Sequence, residues 1–534
     1  MTKLILFVLC VISVACSYVA AKDKVVVCYY GTWATYRNGN GKFDVENINT
    51  DLCTHLVYTF IGITEQGYAK SLDPWLDLED NWGRGNFKKF NALKQYKPNL
   101  KTLLAVGGWN EGSAKYSVMA ASPALRQNFI KSTLEMVRTH GFDGLDLDWE
   151  YPNRRDSVHG KADIDNFTQL TKELRAEFDK YGLLLTAAVS AVGSVAVLSY
   201  DIPAFTQYVD LVNLMTYDMY GAWDSVTGHN APLHKGQGDE NVPKENVFTV
   251  DVALEYWLQQ GCPPEKLVLG LPLYGRTFQL ANVNNNGVRA PASGAGIAGP
   301  WTATNGLIGY NEFCQKLKTE AWDLRYDSLA KVPYAVQDRN WVSYDDPSSL
   351  AIKIEHALQY NIAGAMIWSI ETDDFRGLCA GDFPMLRAIN EALGKYSGQQ
   401  QTTTTTSSSA LTTTTTSTTT PSQPSQTSTT TSQPSQTSTT TSQPSQTSTT
   451  TSQPSQTSTT TLAPTLAPST SAPSSSVCKT EGFNINPEDC HSFYVCTHGG
   501  SGKLVPHLFY CPGNLHWDPQ FTVCNYSDQA NCKN

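Results

Sequence analysis

The chain has 534 residues, with 39 Lys and Arg against 49 Asp and Glu, for a formal net charge of −10. That length exceeds one compact domain, and the negative balance argues against nucleic acid or anionic lipid as a partner. A neutral polymer meets no such electrostatic objection.

The first residues stand apart from any fold. Lys3 precedes an apolar run from Leu4 to Ala15, and Val19-Ala20-Ala21 supplies small residues ahead of Lys22. This is the layout of a secretory signal peptide over 1–21, and the run is short for a bilayer span. With no second long apolar run, a soluble extracellular protein is expected. Secretion lets the cysteines be read as disulfides. Cys10 and Cys16 leave with the leader; Cys28, Cys53, Cys262, Cys314 and Cys379 lie in the large N-terminal region, and Cys478, Cys490, Cys496, Cys511, Cys524 and Cys532 crowd the end. Five cysteines in the first group imply two bridges and a spare thiol, but spacing alone does not give the pairing.

From residue 22 to 396, short apolar runs recur with amphipathic stretches between them. The strand candidates are Val25 to Tyr30, His55 to Phe60, Lys101 to Val106, Gly144 to Asp148, Leu183 to Ala188, Asp210 to Met215, Leu267 to Pro272 and Ala363 to Trp368. Helical patterns include Pro123 to His140 and Asp165 to Tyr181. Near-continuous apolar strands alternating with helices predict an α/β fold with a parallel sheet covered by helices. Eight such units suit a (β/α)8 TIM barrel. The long gap from 275 to 346, broken by Pro291, Gly294, Gly296, Gly299 and Pro300, predicts a small α+β insertion between strands 7 and 8.

The fourth strand carries the chemistry. Asp146, Asp148 and Glu150 alternate with Leu147 and Trp149, and a period of two turns all three carboxylates to one face, ~7 Å apart along the strand. Acids brought to ~4 Å repel by about 4 kcal/mol at an effective dielectric of 20. Proton sharing relieves that repulsion and raises at least one pKa. The result is the protonated carboxyl that general acid catalysis needs near neutral pH. A solvated acidic strand or a divalent-metal site is the competing reading; Trp149, Tyr151 and Pro152 count against metal, because hard cations favour flexible oxygen-rich loops. Other candidate strands end in Gly107-Gly108-Trp109, Met215-Thr216-Tyr217-Asp218, Tyr274-Gly275-Arg276 and Trp368. Aromatic faces beside acids suit pyranose rings, whose C–H faces pack on the rings while hydroxyls meet acceptors.

Beyond the barrel, no Asp, Glu, Lys or Arg occurs between Lys395 and Lys479, and a Ser-Gln-Pro-Ser-Gln-Thr-Ser-Thr-Thr-Thr decamer repeats from Ser422 to Thr461. Residues 397–477 lack the apolar side chains to offset chain entropy and are expected to be a disordered linker of O-glycosylated type. Residues 478–534 are too few for a self-sufficient core and need disulfides. Asn166 and Asn525 head N-glycosylation sequons.

Together these segments resemble glycoside hydrolase family 18, and within it the arthropod-type secreted chitinases. The Asp143-to-Glu150 segment matches the family signature (Asp, two residues, Asp, one, Asp, one, Glu), and Lys101-to-Trp109, Met215-to-Gly221 and Gly364-to-Trp368 match further family blocks. The resemblance implies endo-hydrolysis of β-1,4-linked N-acetylglucosamine polymer with retention, assisted by the substrate acetamido group. Glu150 would be the acid/base, and Asp148 would hold the acetamido N–H. Asp146 and Asp143 would set the charge state of Asp148, and Tyr217 would bond the acetamido oxygen. Tyr29, Trp33, Phe60, Gly107, Gly108, Trp109, Tyr151, Met215, Asp218, Trp223, Tyr274, Arg276 and Trp368 would line the cleft. No metal or organic cofactor is implied, and a monomer is expected. Family pairing would join Cys28 to Cys53 and Cys314 to Cys379, leaving Cys262 free. Glu371 and Thr372 depart from the family pattern ahead of Asp373-Asp374, which affects a cleft hydrogen bond at most.

The C-terminal six-cysteine spacing resembles a peritrophin-A type chitin-binding module. That resemblance implies bridges Cys478–Cys496, Cys490–Cys532 and Cys511–Cys524, with Phe493, Tyr494, Phe509, Tyr510 and Trp517 as the sugar-binding aromatics. Two other readings are a lectin-like or matrix protein on the same fold and an enzyme cutting N-linked glycans. Lectin-like relatives typically lose the acid, and Glu150 is present here; the chitin-binding module argues against the glycan cutter.

Overall fold

The computed structural model describes residues 24–243, 247–405, 465–466, 477–480, 482–498, 503–511, 515–519, 523–526 and 530. The expected signal peptide and most of the expected linker lie outside them. Eight parallel strands form the centre: β1 Val25–Gly31, β2 His55–Ile63, β3 Lys101–Gly107, β4 Gly144–Asp148, β5 Leu184–Ser190, β6 Leu211–Met215, β7 Leu267–Pro272 and β8 Gly364–Trp368. Each pairs with the next, and β1 pairs with both β2 (Val27 opposite His55) and β8 (Val25 opposite Gly364), so the sheet closes. All eight strands expected from the apolar runs are present.

Strand alternation divides the core in two. Outward residues such as Cys28, Leu104, Leu145 and Leu185 join a large apolar layer with the surrounding helices. Inward residues Val27, Tyr29, Val57, Leu103, Ala105, Val268 and Met366 pack together inside the barrel. On β4 this inner position becomes acidic: Asp146 lies opposite Ala105 and Asp148 opposite Gly107. The helix expected over Pro123–His140 has those bounds; the Ser122 side chain accepts from the Leu125 amide, Pro123 opens the first turn, and Gly141 (φ 78°) ends the helix in the left-handed conformation. The next helix starts earlier than its apolar pattern suggested, at Ala162–Phe178, and continues into a 3-10 turn, Asp179–Tyr181.

The expected insertion is an antiparallel sheet of six strands, Tyr274–Leu280, Ala292–Ala295, Leu307–Gly309, Asp323–Asp327, Val332–Gln337 and Asn340–Ser343, with one helix, Tyr310–Thr319. A final helix, Pro384–Thr405, ends beyond residue 396, where the linker is expected to begin. Disulfides join Cys28 to Cys53, Cys314 to Cys379 and Cys478 to Cys496. Loops of 25 and 65 residues closed in the barrel region restrict the unfolded chain by roughly 3–4 kcal/mol each. Cys262 is a buried free thiol, and burial pushes its pKa up to about 12. Cys490 and Cys511 are disulfide-bonded as well; Cys532 and the Cys524 side chain lie outside the described residues.

Candidate active site

Chemistry in this fold sits where the strands end. On β4, Asp146 is fully buried and accepts hydrogen bonds from Tyr29 Oη (2.8 Å), Thr186 Oγ1 (2.5 Å) and Asn213 Nδ2 (3.2 Å). These donors come from β1, β5 and β6, so one carboxylate ties three other strands to β4. Burial raises the Asp146 pKa, and its three donors oppose that rise. One step outward, Asp148 is 4% exposed, and its Oδ1 has no hydrogen-bond partner among the described residues. Burial, then the charges of Glu150 and Asp146, push the Asp148 pKa far up.

Glu150 lies two residues past the strand end and is half-buried. Burial raises its pKa to about 7; a hydrogen bond with Tyr151 and the Arg155 guanidinium act against the rise, and the Asp218 charge adds to it. Asp148 and Glu150 act on each other, so between them the pair keeps a proton in the range where free carboxyls are ionised.

The opposite wall follows β6. Met215 is half-buried, and Tyr217 is buried with its Oη 3.7 Å from Met366 Sδ. Asp218, at φ 56°, accepts from Tyr274 Oη (2.6 Å) and from Arg276 Nε (2.8 Å) and Nη2 (2.7 Å). The Arg276 guanidinium in turn lies over the Trp223 ring at 4.9 Å. Trp368 at the end of β8 stacks on Phe60 (5.8 Å), meets Tyr29 edge-on (5.8 Å) and lies 6.1 Å from Trp33. Trp33, Trp109 and Trp223 keep 42%, 56% and 39% of their surfaces exposed, leaving faces on which a ring can stack. Gly107 and Gly108 are needed here: both have positive φ, and an added Cβ would fall 2.1 Å from the Asp148 carbonyl oxygen or 2.7 Å from the Phe60 ring.

Two expected placements are corrected. Asp143 is not part of the cleft. It precedes β4 at the opposite end of the barrel, ~16 Å along the chain from Asp148, and binds Lys94 Nζ (2.9 Å) and the Thr102 amide (2.8 Å) and Oγ1 (3.1 Å). Its acidity serves a strand-end tie, not the charge state of Asp148. Asp143→Asn is therefore expected to cost about 1–2 kcal/mol in urea unfolding while leaving kcat and its pH profile in place; a shifted profile would return Asp143 to the site. In the C-terminal module, Phe493, Phe509 and Trp517 are 0%, 3% and 1% exposed and stack on one another. They form that module's core, because a unit this small uses its largest apolar side chains to build one, and they offer no face to a polymer. Tyr494 is half-buried, and the Tyr510 side chain lies outside the described residues.

The departure at Glu371 is structural: its buried carboxylate accepts from the Gly31 amide (3.0 Å) and Ser369 Oγ (2.6 Å), joining the ends of β1 and β8. Thr186 and Asn213 escaped the sequence reading although each is a polar residue at an inward position of an apolar strand, a signal that was available. Met366 and Arg155 gave none. Asn166 is half-buried within the helix Ala162–Phe178, and Asn525 lies on the strand Val523–Tyr526.

A closed (β/α)8 barrel with a proton-retaining acid pair beneath an aromatic-walled cleft has the layout of a glycoside hydrolase. The chain belongs to glycosyl hydrolases family 18, whose family model matches residues 25–373; the chitin binding Peritrophin-A domain model matches 478–532. Among similar proteins, probable chitinase 2 of Drosophila melanogaster is 44% identical, covering 69% of this chain and 80% of its own length. The Manduca sexta endochitinase is 37% identical over 70% and 68%. The crystal structure of an Ostrinia furnacalis group IV chitinase in complex with allosamidin is 60% identical, with TM-score 0.69, covering 70% of this chain and 99% of that one. Human YKL-39, described as a pseudo-chitinase with retained chitooligosaccharide binding, is 37% identical with TM-score 0.63, covering 70% of this chain and 100% of that one.

Proposed function

We propose that this chain is a secreted endochitinase that hydrolyses β-1,4 bonds between N-acetylglucosamine units with retention, assisted by the substrate acetamido group. One observation carries the reading: Asp148 Oδ1 is a buried acceptor without a partner among the described residues, set between an anchored carboxylate and an acid whose pKa is about 7. An unpaired buried acceptor is costly unless a ligand completes it, and the N–H of a 2-acetamido group is a donor of the right kind. In the first step Glu150 gives its proton to the departing glycosidic oxygen while the acetamido oxygen bonds to the anomeric carbon. The positive charge of the resulting oxazolinium falls on the side held by Asp148. Tyr217 Oη, which donates to the weak thioether acceptor Met366 Sδ, orients the acetamido oxygen. Glu150, now a carboxylate, then takes a proton from water as the water oxygen attacks the same carbon and the bond from the acetamido oxygen to that carbon breaks, returning the acid and the neutral acetamido group and giving net retention. Trp368 carries the distorted sugar as a floor.

The names of the relatives and the Peritrophin-A match support chitin as the polymer. A tethered chitin-binding module would raise the local concentration of the barrel at an insoluble surface. The disulfides fit folding in an oxidising compartment, and among the described residues no helix is long and apolar enough to cross a membrane. Fresh products from a chito-oligosaccharide, followed by proton NMR, are expected to appear as β anomers, with kcat/KM falling as pH rises above about 7, where Glu150 loses its proton. Initial α anomers, or comparable cleavage of a glucan without acetamido groups, would remove the reading.

A further inference from the structure

Trp109 leads out of the cleft on a glycine hinge. Gly107 and Gly108 precede it at φ 116° and 81°, and it opens a short 3-10 turn, Trp109–Glu111. At 56% exposure, with no other ring against it among the described residues, its indole has little packing to hold one orientation. The group that grips it among the described residues comes from the loop just after Glu150. The Arg155 guanidinium lies 3.7 Å from the centre of the Trp109 ring, and its Nη1 donates to the Trp109 carbonyl oxygen at 2.6 Å.

The loop that presents Arg155 is built against conformational preference. Asn153, Arg155 and Asp156 have φ of 58°, 36° and 59°, a region non-glycine residues rarely occupy. Surrounding bonds enforce it: Asn153 N and Ser157 Oγ donate to Asp163, Asn153 Nδ2 donates to the Leu198 carbonyl, and the amides of Val158 and His159 donate to Ser117 Oγ. Asp163 and Ser117 are fully buried. Strain held this firmly points to a side chain whose direction matters. Apart from its effect on Glu150, the ion pair that Arg155 makes among the described residues, with Asp156, is long at 4.0 Å.

We propose that Arg155 is a positioning residue: it clamps the Trp109 indole in one orientation beside Glu150, so that a sugar stacked on Trp109 presents its glycosidic oxygen to the Glu150 carboxyl. Stacked guanidinium and charged hydrogen bond act together, a combination the point charge of lysine does not reproduce. The proposal rests on Glu150 being the acid, but the clamp itself is read by binding. The other titratable groups that act on or respond to Glu150 among the described residues include Asp148, Tyr151, Tyr200, Tyr217 and Asp218, and Arg155 is the cation among them.

The test is a double-mutant cycle with tetra-N-acetylchitotetraose, on the full chain and again in a Glu150→Gln background, where binding is measured calorimetrically without turnover. Arg155→Ala is expected to weaken binding, and to raise KM, by about tenfold, with kcat changed much less. In a Trp109→Ala background the same substitution is expected to change binding less than twofold. Arg155→Lys is expected to keep the descending pH limb in place while leaving KM raised; Arg155→Ala moves that limb to higher pH, since the cation near Glu150 is gone. Equal losses from Arg155→Ala with and without Trp109, or full rescue of KM by lysine, would overturn the clamp. Circular dichroism and melting temperature of each variant identify a folding defect, which would also overturn it if it alone accounts for the loss. Turnover persisting in Glu150→Gln sinks the acid assignment instead and leaves the binding cycle interpretable.

Discussion

Glu150→Gln is expected to lower kcat on chito-oligosaccharides by roughly 10²–10⁴-fold, the usual worth of a positioned general acid, with binding retained. Glutamine keeps the shape and loses the transferable proton, so a variant that stays active removes the assignment. The same substitution carries a stability signature. In the folded chain the Glu150 pKa is about 7, above an ordinary value of 4.5, so folded protein binds more protons than unfolded between those limits. Wild-type stability therefore falls as pH rises through that window, by about 3 kcal/mol in all. Glutamine carries no such penalty. Thermal melts of the two proteins are expected to diverge by a few degrees as pH goes from 4.5 to 8, with the variant the more stable at the upper end. A constant gap would mean that Glu150 is not desolvated in the folded state.

Asp148→Asn is expected to cost about 10²–10³-fold in kcat. The positive charge that develops on the acetamido-derived ring arises where water is scarce, and there an anion is worth far more than in solution. Its effect should not multiply with that of Glu150→Gln, because the two carboxyls act on one substrate through one shared protonation equilibrium. Single-turnover rates on the two single variants and the double variant decide this. Losses that multiply fully would mean that the groups work independently.

Both arguments depend on a strand that is legible without coordinates. The runs from Val25 to Trp368 are apolar on both faces because each barrel strand is covered inside and out, so length and composition alone locate all eight. Alternation on β4 likewise shows Asp146, Asp148 and Glu150 on one side, since side-chain direction in a strand is a local property of the backbone. The family signature groups Asp143 with them, yet parity and position already separate it: it is an odd step away and precedes the strand.

Other features required the closed structure. That Asp146 meets Tyr29, Thr186 and Asn213 depends on four strands curving around one axis, and no local pattern encodes which inward residues share a layer. Phe493, Phe509 and Trp517 of the module were misassigned because an aromatic in a core and one on a binding surface look alike in one dimension; burial distinguishes them, and burial is a sum over the whole fold. Arg155 is the extreme case, an ordinary loop residue whose reach to Trp109 is set by a strained backbone and by partners on distant helices. What local chemistry decided was which side chains share a face; which of them meet, with what neighbours, and which acid is buried deeply enough to keep its proton was decided only when the barrel closed, because contact between residues tens to hundreds apart is a consequence of chain topology.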